Sequence, residues 1–118
     1  MGVDLILLTP DRDKSTRSSY GGFMRFRRRV AESAGYGALD DYRGFGGDRD
    51  WPEGDPLVAL LHHSDCDGQI WARDAEGLGE RLRILVEQWE PSPDREFGLE
   101  VAALFEALEE SWGVVDFR

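Results

Sequence analysis

A chain of 118 residues with 41% hydrophobic and 32% charged side chains is long enough for one core and too short for a second domain beside it. Its formal net charge of −10 argues against general nucleic-acid binding, which needs a basic footprint, and its apolar runs, such as Leu5 to Leu8 and Leu57 to Leu61, are too short to cross a bilayer. A lone cysteine, Cys66, cannot close an internal disulfide, and the first residues lack a basic, apolar leader, so a reducing cytoplasm is the expected location.

Val3 to Leu8 reads as a strand, short and rich in branched residues, ended by Thr9-Pro10. The polar stretch Asp11 to Ser18 reads as a loop. Ser18 or Ser19 then caps a helix running to about Ala34, with Phe23, Phe26 and Val30 on one face and Gly35 as its stop. Arg25, Arg28 and Arg29 fall off that face, and Arg28 can pair with Glu32 one turn on. The cluster Arg25–Arg29 lacks the basic support of a nucleic-acid patch and is expected to face the acidic half of the chain.

Gly35 to Asp55 is glycine-rich and carries Tyr36, Tyr42, Phe45 and Trp51 among many aspartates, an unusual length for a loop without structure of its own. A helical turn is expected over Ala38 to Arg43, halted by Gly44. Pro56 opens a short buried segment, Leu57 to His62, for which proline at a first helical position favours helix. Asp74 is placed to cap a helix to about Trp89, buried through Leu78, Leu82, Leu85, Val86 and Trp89. Pro91-Ser92-Pro93 breaks it, and Ser92 with Pro93 opens the last helix, with Phe97, Val101, Leu104, Phe105, Leu108 and Trp112 as its buried stripe. Gly113 ends that helix, and Val114 to Phe117 reads as a strand able to pair with Val3–Leu8. The expected fold is α+β: one mostly helical domain over residues 1–118, with three main helices and short strands near its two ends.

The densest chemistry lies in His63-Ser64-Asp65-Cys66-Asp67-Gly68. With Gly68 at the sixth place of a twelve-residue calcium loop, Asp65 falls at the third, Asp67 at the fifth, Ile70 at the eighth and Asp74 at the twelfth. His63 then stands where an oxygen ligand belongs, and Asp74 is shorter than the bidentate glutamate such loops use, so the cation expected is a weakly held calcium. A thiol enzyme would use Cys66 as nucleophile with His62 or His63 as base, but residues this close in sequence rarely aim at one another, and paired aspartates oppose thiolate formation. A zinc site from His62, His63 and Cys66 lacks a fourth soft ligand. A metal-assisted hydrolase would recruit Asp48, Asp50 and Asp55, with no glycine-lysine phosphate loop to help. The plainest reading is a tight turn in which Asp65 and Asp67 bond the backbone, Gly68 takes positive φ and His63 bonds a carbonyl.

Met1–Leu5, the Ser19–Arg27 stretch, and His63–Gly68 after the pair Leu60-Leu61 together resemble a loose group of small bacterial and phage proteins of unassigned function. The resemblance implies no activity or catalytic residue, and Gln69 stands here where that group often has glutamate.

Charge is unevenly spread, +2 over residues 1–43 and −12 over residues 44–118. An acidic body favours basic partners and fast association with them. The leading expectation is a small acidic binding protein that meets a basic protein through Asp48, Asp50, Trp51, Asp55 and Trp71, with tryptophans as interface anchors. Inhibitor, immunity and host–phage modulator proteins share this size and charge.

Overall fold

The period-two alternation of residues 3–8 becomes a strand with two unlike faces. Val3, Leu5 and Leu7 are buried, whereas Asp4, Ile6 and Leu8 are only half-buried. The computed structural model describes residues 2–8, 14–63, 68–111 and 113–118. Its strands are β1 (Gly2–Leu8), β2 (Lys14–Ser19), β3 (Gln69–Trp71) and β4 (Val114–Phe117). Its helices are α1 (Tyr20–Ser33), α2 (Val58–Leu61), α3 (Leu78–Glu87) and α4 (Pro93–Ser111), with 3₁₀ turns at Leu39–Asp41 and Ala72–Asp74. The fold is α+β, as the alternation of patterns implies.

The sheet has the order β2-β1-β4-β3 and is antiparallel throughout. Strands from opposite ends of the sequence thus form its centre, with Leu5 opposite Phe117 and Leu7 opposite Val115. Ile70 pairs with Val115 on the far side. Val3, Leu5, Leu7, Thr16, Ile70, Val115 and Phe117 face the helices.

β2 corrects the reading of Asp11–Ser18 as a loop. Its sequence, Lys-Ser-Thr-Arg-Ser-Ser, has no apolar residue to signal a strand. An edge strand needs few: of residues 15–19 only Thr16 is buried, and its hydroxyl donates to Glu100 on α4 at 2.7 Å. β3 is the other short edge, formed around Ile70.

Ser19 caps α1 as its side chain predicts, its Oγ accepting the Gly22 N–H at 2.9 Å. The buried stripe is Phe23, Phe26, Arg27, Val30 and Ala31, so an arginine sits among the apolar positions. Phe26 meets Phe97 edge-on at 5.0 Å and Trp89 at 6.0 Å, while Phe23 reaches Phe97 and Phe117, each at 6.3 Å. These rings join α1, the turn after α3, α4 and the sheet into one core. Trp112 lies outside the described residues.

The Arg25–Arg29 cluster is largely consumed inside the fold. Arg25 pairs with Asp94 at 3.0 Å, Arg28 with Asp40 at 2.6 Å, and Arg29 lies 3.7 Å from Asp94 and stacks on Trp89 at 4.3 Å. Arg28 therefore reaches across to the loop instead of to Glu32.

Asp74 does not cap α3. It closes the 3₁₀ turn after β3, and the helix starts at Leu78, after Gly77 with φ of 80°. The cap comes from another helix: Glu109 Oε1 accepts the Gly77 N–H at 2.7 Å. Arg83 then grips Glu106 through the Nε–Nη2 edge of its guanidinium at 2.6 to 3.1 Å. That hydrogen-bonded arginine holds the Glu106 carboxyl below its ordinary range, although burial opposes it.

The helices approach closest at Gly79, where a Cβ would stand 2.7 Å from the Glu106 backbone nitrogen and 2.8 Å from the Ala102 carbonyl oxygen. Backbone cannot yield as a side chain can. Gly79→Ala gains about 1 kcal/mol of helix propensity, but the overpacking it forces costs about 1–3 kcal/mol, so urea unfolding should show a net loss of stability. An unchanged or raised midpoint would mean that the two helices separate freely.

Candidate functional site

Arg27 is the root of the site region. It is 2% exposed, and its Nη1 donates to the Leu61 carbonyl at 3.3 Å and the His63 carbonyl at 2.5 Å. Its guanidinium lies 4.6 Å from the Phe23 ring centre and 5.4 Å from that of Phe45. A buried cation is tolerated where dipoles and rings replace water, and the end of α2 supplies two such dipoles. Arg27 follows Phe23 by four and precedes Val30 by three, so helical spacing alone places it on the buried stripe.

Arg27 fixes the chain on the near side of residues 64–67, and the sheet fixes it on the far side. The His63 ring packs on Phe117 at 4.0 Å between centres, its Nε2 lies 3.3 Å from the Gln69 carbonyl oxygen, and Phe117 donates its N–H to the Gly68 carbonyl at 3.0 Å. Gly68 has φ of 89°, and a Cβ there would come within 3.3 Å of the His63 ring. Asp65, Cys66 and Asp67 lie outside the described residues. Asp74 is exposed and 3.8 Å from Arg73. Among the described residues no group of three or more His, Cys, Asp or Glu side chains converges on a point.

The loop between α1 and α2 is built on a column of rings. Tyr42 is buried, and its hydroxyl donates to the Tyr36 carbonyl at 3.0 Å. Trp51 lies between Tyr42, at 4.6 Å and 24°, and His62, at 5.2 Å and 28°. Its Nε1–H donates to the Arg43 carbonyl at 2.9 Å, and Phe45 meets it edge-on at 6.0 Å. Arg49 covers the Tyr42 ring at 5.0 Å. Backbone bonds between Arg43 and Arg49, and between Arg49 and Asp41, close the loop on itself. Two glycines make this packing feasible: a Cβ on Gly47 would overlap the Asp41 carbonyl, and one on Gly44, whose φ is 92°, would press on His62 at 3.0 Å.

This geometry divides the expected partner residues. Among the described residues Asp48 is exposed with no ion pair, and so are Asp41 and Glu53. Asp50 is 81% exposed and pairs loosely, in bulk solvent, with Arg43 at 2.6 Å. Trp51 is half-buried and serves the column. Asp55 turns inward: Oδ1 accepts the Leu57 N–H at 3.0 Å, and Oδ2 meets the Tyr36 hydroxyl and Arg81 at 3.5 Å. Trp71 lies apart from the loop, on the open side of the sheet, 46% exposed. The structure thus brings Asp48, Asp50 and Trp51 together and separates them from Trp71. His62, Tyr36 and Arg81 carry no local motif, because each acts through a residue distant in sequence.

No protein-family model, curated protein or solved structure matches the chain. What the arrangement can do is therefore read from its own residues. Of the two described histidines, the His62 ring is stacked on Trp51, and the His63 ring packs on Phe117 with its Nε2 near the Gln69 carbonyl. The loop instead offers exposed carboxylates on a stiff aromatic base.

Asp55 ties that base to α3. Burial alone would raise its carboxyl pKa, but the Tyr36 hydroxyl, the Leu57 N–H and Arg81 outweigh it and hold the group below its ordinary range. Burial, followed by the bond to Asp55, pushes the Tyr36 hydroxyl above its own. A lowered carboxyl stabilises the fold above its unfolded pKa of about 4 and loses that stabilisation as pH falls through the folded value. Asp55→Asn should cost about 1–2 kcal/mol at neutral pH in urea unfolding, and less at an acid pH below the carboxyl's unfolded value, where the native group progressively loses its advantage. Equal costs at the two pH values would remove the charge from the anchor.

Proposed function

We propose that this chain is a small, acidic, cytoplasmic binding protein that docks on a basic protein through the loop of residues 40–55. The observation that carries this reading is the mounting of Asp41, Asp48 and Glu53, exposed and without ion pairs among the described residues, on the column Tyr42–Trp51–His62. A rigid presentation reduces the ordering cost of association, and like charges grouped on one loop steer an oppositely charged surface toward it. Asp50 adds a carboxylate paired with an exposed arginine, and such a pair yields readily to a stronger one. The acidity of residues 44–118 extends the attraction beyond the contact itself. Inhibitor, immunity and host–phage modulator proteins provide the analogy of class.

The test begins with affinity capture from the native host, elution by salt, and titration of the recovered protein against wild type and an Asp48→Lys/Asp50→Lys variant. The expected result is a basic partner whose affinity falls at least tenfold on double charge reversal and falls again between about 0.05 and 0.5 M salt, mostly through the association rate. A partner bound equally well by the variant and at both salt levels would overturn the reading.

A further inference from the structure

We draw no further inference here: the strongest candidate, the apolar strip of Ile6, Leu8, Val114 and Trp71 on the side of the sheet away from the helices, carries nothing because nothing in the structure shows what covers it.

Discussion

The buried guanidinium of Arg27 holds together parts of the molecule that have little else in common. It rises from α1, takes the last carbonyls before residues 64–67, and lies against rings from its own helix and from the long loop. Without it, Phe45 and the end of α2 would share no polar anchor on the core. A lysine could not replace it, because a single ammonium cannot lie flat against two rings while donating to two carbonyls. The loop column, the setting of His63 on Phe117 and the entry to β3 all follow from where this one side chain fixes the backbone.

Much of the fold was legible because periodicity and capping reported the same elements. The alternation in residues 3–8 gave β1, the spacing of Phe23, Phe26 and Val30 gave α1, and Ser19 and Ser92 marked helix starts that the structure retains. β2 was not legible, since an edge strand that buries one threonine looks like a polar loop to any pattern of hydrophobicity. The start of α3 was misplaced for a related reason: Asp74 has the local chemistry of a cap, but the helix begins beyond a left-handed Gly77 and takes its carboxylate from Glu109, 32 residues away. Local rules fail where a tertiary contact supplies what they expect from a neighbour.

The candidate site was legible in part, along the same line. Trp51 and the aspartates around it were visible as a concentration of residue types, and Asp48 and Asp50 are indeed at the surface. Asp55 looked no different in sequence, yet Tyr36 and Arg81 draw it inward. Trp71 resembled Trp51 as an aromatic near charge, but strand parity sets it on the outside of the sheet while stacking encloses Trp51. The basic cluster of α1 stays at the surface, but Asp40 and Asp94 on the same protein pair with its cations.

The pairing of β1 with β4 also orders events in time. The central seam of the sheet joins residues 5–8 to residues 114–117, so the long stretch between them must leave the ribosome before that seam can close. Until then β1 can rest only on β2, and a two-stranded ribbon is marginal in water. Its inner face of Val3, Leu5 and Leu7 stays without a lid while α1, α3 and α4 are being made. Contacts of such long range slow folding and prolong the exposure of apolar strand surface. The rings of Phe26, Trp89 and Phe97 can meet before then, and the centre of the sheet closes only when β4 pairs with β1 and β3.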